Sequence, residues 1–306
     1  MNKYIYKIYG LLVESEIYIK ELIQPSKEMD FNKNIKSDVL IKYDSMPFQI
    51  KQNINEGRSF SFKKDECWFL IEDIGIYRIC NGNIISVEKL CNDEYKIQSF
   101  ILGSSFGCLF IQRNMVALHG GTILINNKAL VITGDSGAGK STLTSNFRVK
   151  GYKFLSDDIS VTDVGINGQI IVNPAYPQQK LCRDSAIKLG LDIDKLVKID
   201  EGRDKFAVPS KESFITESKT VAYMCEVGVR NDELDKVEIK EVLGIQKMKL
   251  INKNIYRTEI ARDIGIKDEY FKQILRIAKQ IKYFKVIRPK NSFTVNEQMQ
   301  LILENL

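Results

Sequence analysis

The strongest constraint on the fold is a glycine-rich run, Gly134 to Ser141, that lies between two segments of regular secondary structure. The run before it, Ala129 to Thr133, is apolar and rich in β-branched residues, which predicts a strand. The run after it, Ser141 to Lys150, predicts a helix that ends at Gly151. A strand, a glycine loop and a helix in succession are the elements of an α/β core, so we expect this fold class.

The residue pattern of the glycine-rich run matches the P-loop, Gly-x-x-x-x-Gly-Lys-Ser. Its glycines let the chain curl so that several backbone N–H groups point at one anion, and the positive end of the following helix adds to the attraction. Lys140 is placed to reach the β- and γ-phosphates of a nucleotide, and Ser141 to offer its hydroxyl to Mg²⁺. We therefore predict a site for ATP with Mg²⁺. The predicted nucleotide-binding residues are Gly134, Asp135, Ser136, Gly137, Ala138, Gly139, Lys140, Ser141 and Thr142.

Two adjacent carboxylates, Asp157 and Asp158, follow the next predicted strand, Tyr152 to Leu155. If that strand lies beside the loop strand, its carboxyl end meets the same edge of the sheet as the phosphates. A carboxylate there can hold Mg²⁺ or accept a proton from an attacking hydroxyl. The alternative interpretation of such a pair is an exposed turn or a helix cap.

The single histidine, His119, stands in Leu118-His119-Gly120-Gly121, directly before the predicted hairpin that leads into the loop. Two adjoining glycines indicate a close approach of backbone to backbone. The hairpin would bring His119 near the edge of the sheet, where it could assist chemistry. A purely structural histidine is the alternative.

The rest of the chain predicts two domains. Residues 1–96 contain short apolar runs separated by polar turns, among them a hairpin of Ile76–Cys80 and Ile84–Val87, and predict a β-rich N-terminal domain. Residues 97–306 predict a P-loop core that begins with a helix over Ile97–Asn114 and ends in a helical segment.

Within that helical segment, Thr258–Ile266 followed by Glu269–Lys282 has the cadence of a helix-turn-helix. Two interpretations are open, a DNA-binding element and a helical hairpin packed on the core. We favour the hairpin, because the basic residues are interleaved with apolar positions and no second basic element accompanies them.

Composition limits the remaining classes of function. The 306 residues are 44% hydrophobic and 27% charged, which is typical of a globular protein, and neither a secretory signal nor a long apolar span is visible. The net charge of +6 is spread along the chain and does not indicate nucleic acid as a partner. Six cysteines without a Cys-x-x-Cys pair argue against a metal site and favour a reducing, cytoplasmic location.

Three motifs together resemble a known family. Leu118–Gly121, Gly134–Ser141 and Leu155–Asp158 occur in the order and spacing of the HPr kinase/phosphorylase family, whose acidic pair comes soon after the loop. Within the family the chain is most similar to small homologues that include the lasso peptide kinases. The segments shared with those homologues are Tyr9–Ile17, Gln112–His119 and Asn173–Pro177.

The resemblance implies an ATP-dependent kinase that transfers a phosphoryl group to a serine-type hydroxyl of a peptide or protein, in peptide natural-product maturation. It implies that Asp157 is the general base, that His119 supports it and that Lys140 is the third catalytic residue. Asp158 would bind Mg²⁺ together with Ser141, although the two aspartates could exchange roles. The chain departs from true HPr kinases by lacking their Glu-Ile-Arg-Gly signature, which leaves HPr as acceptor and the reverse reaction open.

Two other functions are kept as alternatives: a non-catalytic nucleotide-binding regulator, and a kinase for a small molecule such as free serine. Arg203 and Lys205 are candidate contacts for phosphate or substrate, or part of a solvated charged loop. The expected partner is an acceptor peptide or protein that carries a serine, with no membrane. The parent family commonly forms oligomers, so a homo-oligomer is also open.

Overall fold

A computed structural model of the chain describes residues 3–24, 36–200, 204–230, 236–265 and 268–306. The described strands are β1 (Tyr4–Ile8), β2 (Leu11–Ser15), β3 (Val39–Tyr43), β4 (Phe60–Phe62), β5 (Glu66–Ile71), β6 (Gly75–Cys80), β7 (Ile84–Lys89), β8 (Val116–Ile125), β9 (Lys128–Gly134), β10 (Phe154–Ser156), β11 (Ile159–Val164), β12 (Ile170–Asn173), β13 (Gln178–Cys182), β14 (Val197–Asp200), β15 (Lys205–Pro209), β16 (Lys219–Arg230), β17 (Glu238–Glu241) and β18 (Lys282–Pro289).

The described α-helices are α1 (Phe48–Asn55), α2 (Glu94–Phe100), α3 (Phe106–Gln112), α4 (Lys140–Val149), α5 (Arg183–Lys188), α6 (Gly244–Lys253), α7 (Thr258–Ile264), α8 (Asp268–Gln280) and α9 (Val295–Asn305). A π-helical turn, Ile101–Ser105, joins α2 to α3, and a short 3-10 turn spans Ile193–Lys195. None of the described helices is both long enough and apolar enough to cross a membrane.

The chain forms two compact units, each with residues from distant parts of the sequence. The first unit comprises Met1–Val116 and Tyr256–Phe271, and the second comprises Ala117–Ile255 and Lys272–Leu306. The fold is therefore mixed α/β, with β-rich structure in both units. The domain boundary predicted after residue 96 stays a prediction.

The first unit is built on a seven-stranded sheet with the order β1-β2-β3-β7-β6-β5-β4. The predicted β6–β7 hairpin is present, with its turn at Asn81 and Gly82 in the left-handed region at φ 51° and 64°. Strands β1 and β2 form a second hairpin, in which Tyr9 and Gly10 also adopt positive φ and reverse the chain. In this unit α7 contacts α3. The first part of the predicted helix-turn-helix pattern is therefore a helix that packs on another helix of the same unit.

The second unit holds an eight-stranded sheet with the order β10-β8-β11-β12-β16-β18-β17, in which β9 pairs with both β8 and β16. Strand β16 runs parallel to β9 and to β18, so the carboxyl ends of these three strands lie at one edge of the sheet. Helix α4 covers the sheet by burying Leu143 and Phe147 against Ile132 and Val227. A separate three-stranded sheet, β13-β15-β14, lies in the same unit.

Candidate functional site

The glycine-rich loop begins where β9 ends and finishes where α4 begins, as the sequence predicts. Gly134 closes β9 at φ 140°, and a Cβ atom built there would lie 2.3 Å from the carbonyl oxygen of Val227 on β16. A larger residue would therefore push β9 away from its parallel partner. Gly139, at φ 109°, is the residue that turns the chain into α4. The two glycines together place the first turn of α4 at the edge of the sheet.

The ammonium group of Lys140 lies against the loop itself. Its Nζ donates hydrogen bonds to the carbonyl oxygens of Gly134, at 2.8 Å, and Asp135, at 3.2 Å. Burial lowers the pKa of Lys140, while the charges of Asp158, Asp135 and Asp157 act in the opposite direction. Lys140 is therefore a cation at the loop whose pKa is influenced by both Asp157 and Asp158. Ser141 and Thr142 follow it in the first turn of α4.

Asp157 is a buried carboxylate between β10 and β11, with only 9% of its surface exposed. Its Oδ2 accepts a hydrogen bond of 2.8 Å from the backbone N–H of Lys180, and its Oδ1 accepts one of 3.3 Å from the side chain of Gln179. Burial, together with the charge of Asp158, raises the pKa of Asp157 to about 6, although the hydrogen bond from Lys180 acts to lower it. Asp157 is thus a carboxylate that titrates close to neutral pH.

Asp158 is more accessible than Asp157, with 48% of its side chain exposed. Burial of this carboxylate works to raise its pKa, but the hydrogen bond and the charge of His119, with the charges of Lys180 and Lys205, outweigh burial and hold the pKa at about 2. The Nε2 atom of His119 lies 3.4 Å from Oδ1 of Asp158. Asp158 is therefore an ionised, accessible carboxylate at every physiological pH.

The glycines after His119 explain how β8 comes so close to its neighbours. A Cβ atom at Gly120 would lie 2.2 Å from the carbonyl oxygen of Ile132, and one at Gly121 would lie 2.8 Å from that of Asp157. The backbone N–H of Gly120 donates a 3.0 Å hydrogen bond to the carbonyl oxygen of Asp158. The close backbone approach inferred from the sequence is present, and it is what holds His119 beside the acidic pair.

The structure brings Lys140, His119, Asp157 and Asp158 together in the second unit. The Nε2 atom of His119 lies close to a carboxylate oxygen of Asp158, and the support of Asp157 by His119 stays a prediction. Lys205, on β15, acts on the same site through its charge, which lowers the pKa of Asp158. Arg203 lies outside the described residues.

No group of three or more His, Cys, Asp or Glu side chains among the described residues is arranged to hold a metal ion. Mg²⁺ in nucleotide sites is commonly bound through one or two carboxylates together with substrate phosphates, and keeps several waters. The residues that fit such an ion are Asp158, through its accessible carboxylate, and Ser141, through its hydroxyl. Both residues are oxygen donors of the kind that Mg²⁺ prefers.

A buried glutamate that the sequence analysis missed, Glu226, lies on β16 opposite Thr133 of the loop strand. It accepts a 2.7 Å hydrogen bond from the hydroxyl of Tyr283, and its Oε1 lies 3.2 Å from Nζ of Lys253. The same Nζ lies 3.0 Å from Asp135 in the loop. Lys253 therefore ties the loop to the buried strand. The signal in the sequence was a lone acidic residue inside the apolar run of β16.

A second residue missed by the sequence analysis is Arg288, near the end of β18. Its Nε donates a 2.9 Å hydrogen bond to the carbonyl oxygen of Ala138 in the loop, and its Nη1 donates one of 3.0 Å to the carbonyl oxygen of Pro289. The guanidinium group thus holds a loop carbonyl from the side of β18, which favours a fixed loop conformation. Because this contact joins residues 150 positions apart, no local pattern could have revealed it.

Comparison with known proteins finds similarity among solved structures. No protein-family model matches the chain, and no curated protein sequence matches it. Among solved structures, the chain is similar to the HPr(Ser) kinase/phosphatase from Coxiella burnetii, with a TM-score of 0.33 and 11% sequence identity. The match covers 62% of this chain and 95% of that chain. At such values the activity has to be argued from the site residues themselves.

Proposed function

We propose that the protein is an ATP- and Mg²⁺-dependent phosphotransferase whose acceptor is a hydroxyl group. The observation that carries the proposal is the glycine-rich loop between β9 and α4, with Lys140 at its end and Asp157 packed beside α4 at Gly121. The charges of Asp157 and Asp158 act on Lys140. A loop of backbone N–H groups with a lysine gathers a polyanion, and carboxylates beside it can serve the metal and the proton. Phosphoryl transfer needs little more than this positioning and charge neutralisation.

In the proposed reaction the acceptor oxygen forms a bond to the γ-phosphorus of ATP, the bond from that phosphorus to the bridging oxygen breaks, and ADP leaves. The acceptor proton passes to Asp157, whose pKa of about 6 makes it ionised yet basic near neutral pH. Asp158 and Ser141 would hold Mg²⁺, which would supply positive charge to neutralise the phosphates. Lys140 leaves the loop carbonyls and binds the phosphates.

Two observations bear on whether the two aspartates exchange these roles. Both oxygens of Asp157 already accept hydrogen bonds from Lys180 and Gln179, whereas Asp158 is half exposed and paired with His119. The pKa values separate the alternatives: a base with a pKa of about 6 gives a rate that falls below that pH, and a base with a pKa of about 2 does not.

We propose a serine in a peptide or protein as the acceptor, in line with the motifs that resemble the lasso peptide kinases, and a cytoplasmic location. All six cysteines, which lie within the described ranges, are free thiols and accord with a reducing environment. The alternatives remain a kinase for free serine and a regulator that binds ATP without transfer.

The test is transfer of labelled γ-phosphate to three acceptors: a peptide that ends in serine, the same peptide with alanine, and free serine. We expect label on the serine peptide alone.

Asp157→Asn should still bind ATP while transfer falls at least a hundredfold, the usual range for loss of a general base. Lys140→Ala should lose nucleotide binding. Asp163→Asn, a change at an exposed aspartate on β11, is the matched control and should behave as wild type. Full transfer by Asp157→Asn would refute Asp157 as the base, and ATP binding without any transfer would favour the regulator.

A further inference from the structure

A cleft of about 300 Å³ opens in the second unit beside the glycine-rich loop. Gly137, Gly139 and Thr142 form its wall on the loop side, and the segment from Arg288 to Val295 forms the facing wall. Its volume lies at the lower end of the range for pockets that hold small ligands. Of the described residues that line it, none is Lys140, His119, Asp157 or Asp158. The cleft therefore adjoins the glycine-rich loop without containing the residues proposed to carry phosphoryl transfer.

The direction of a bound triphosphate follows from the loop. Lys140 reaches the β- and γ-phosphates in this motif, while the loop N–H groups cradle the α- and β-phosphates. Asp157 lies beside α4, since a Cβ atom at Gly121 would lie 2.8 Å from its carbonyl oxygen and 2.9 Å from Oγ1 of Thr144. The charges of Asp157 and Asp158 also act on Lys140, so the γ-phosphate belongs on their side. The α-phosphate, with the sugar and base attached to it, must then lie on the other side of the loop. Thr142, two residues after Lys140 in the first turn of α4, is where the cleft begins.

The walls of the cleft carry the chemistry that a nucleoside needs. Phe293 presents an aromatic ring that is 44% exposed, with Nζ of Lys188 5.3 Å from the ring centroid. Asp184, at the start of α5, supplies a carboxylate that can accept hydrogen bonds from sugar hydroxyls. Arg288, fixed by the carbonyl oxygen of Ala138, adds positive charge next to the loop. A flat apolar surface, a carboxylate and three cations, Lys188, Arg288 and Lys290, thus line one cavity.

We propose that this cleft receives the sugar and base of the nucleotide, and that the base stacks on Phe293. This inference rests on the proposed function, because it assumes that the loop binds the triphosphate. It adds a nucleoside subsite formed by α5 and by the segment between β18 and α9, neither of which belongs to the loop motif. Phe293 is then a specificity-determining residue that distinguishes ATP from a bare polyphosphate.

The test compares Mg·ATP with Mg·tripolyphosphate, which has the three linked phosphates of ATP but no sugar or base. In Phe293→Ala we expect the Kd for ATP to rise about tenfold or more, as loss of base stacking on an aromatic ring does, with the Kd for tripolyphosphate unchanged. Phe271→Ala is the matched control, because Phe271 is 46% exposed on α8 and does not line the cleft. It should bind both ligands as wild type does.

A second variant gives a direct signal. The chain has a single tryptophan, Trp68, which is buried in the first unit at 4% exposure. Phe293→Trp keeps an aromatic surface and adds an exposed fluorophore, so its emission should be quenched by ATP and not by tripolyphosphate. This variant should also bind ATP as tightly as wild type, which shows that the alanine variant fails through loss of the ring.

The outcomes separate this inference from the proposed function. If wild type binds neither ATP nor tripolyphosphate, the phosphate loop and the nucleoside subsite are both wrong. If wild type binds both and Phe293→Ala leaves the ATP affinity unchanged, the subsite alone is wrong. If Phe293→Ala instead raises KM for the acceptor peptide at unchanged ATP affinity, the cleft holds the acceptor and the inference is overturned.

Discussion

Asp157→Asn offers a test of the site that needs no substrate. A carboxyl group whose pKa is raised in the folded state binds protons more tightly when folded than when unfolded. Its ionisation therefore opposes folding, and stability falls as the pH rises from the unfolded pKa to the folded one. For Asp157 this window runs from 3.8, the ordinary value of the group, to about 6. An asparagine has no charge to bury, so the variant escapes this loss.

The size of the effect follows from the shift. A rise from 3.8 to about 6 corresponds, at 1.36 kcal/mol for each pH unit, to about 3 kcal/mol of destabilisation once the group is fully ionised. About 2 kcal/mol of that falls between pH of about 4.5 and about 7.5. The new amide in Asp157→Asn also turns an N–H₂ group toward the side chain of Gln179, whose Oε1 is held by Arg148. That cost does not depend on pH, so the pH dependence isolates the charge.

The assay is urea unfolding of wild type and Asp157→Asn at several pH values. We expect the stability of the variant, relative to wild type, to increase by about 2 kcal/mol from the acidic to the neutral end. Asp158→Asn is the control of opposite sign, because the lowered pKa of Asp158 means that its ionised form stabilises the fold. Solvent screening of this half-exposed group keeps that loss under about 1 kcal/mol. If the difference in the free energy of unfolding between Asp157→Asn and wild type does not change with pH, Asp157 is not a buried carboxyl group with a raised pKa.

Two further predictions concern the rate and the backbone. With Asp157 as base, kcat should fall tenfold for each pH unit below about 6. In whatever activity it retains, Asp158→Asn should shift this fall in kcat to lower pH, because the charge of Asp158 contributes to the raised pKa of Asp157. A pH profile of transfer checks both. Gly120→Ala should destabilise the protein by roughly 3 kcal/mol, because its Cβ would lie 2.2 Å from the carbonyl oxygen of Ile132. Gly103→Ala, whose Cβ would have 3.6 Å to its nearest neighbour, should be close to neutral by urea unfolding.

Local patterns predicted the parts of the fold that depend on neighbouring residues. The β8–β9 hairpin forms where the sequence has Asn126 and Asn127, which adopt φ of 49° and 61°, and β9, the loop and α4 follow as expected. Tyr9 shows the limit of this reasoning. A tyrosine in an apolar run predicts a strand, yet here it adopts a positive φ because the chain must reverse between β1 and β2.

The parts that could not be predicted depend on pairing between distant residues. Strand β16 lies beside the loop strand although more than eighty residues separate them. Glu226 on this strand is thereby placed where Lys253 can contact both it and Asp135 of the loop. Arg288 reaches the loop from β18 in the same way. A lone glutamate or arginine in a strand indicates a special environment, but the identity of its neighbours is set by sheet order, which periodicity does not encode.

The candidate site uses one dipeptide to make two different carboxylates. Asp157 and Asp158 are adjacent in sequence, yet one is buried against Lys180 and the other is half exposed beside His119, so their pKa values are about 6 and about 2. Two titratable groups whose surroundings push their pKa values apart are the physical basis for a division of acid–base roles. At neutral pH Asp158, with the lower pKa, remains a fixed negative charge that suits a metal ion. Asp157, with the higher pKa, is the one that can exchange a proton with a hydroxyl. Of the groups that lower the pKa of Asp158, His119 contributes most, so the single histidine helps to separate the two pKa values.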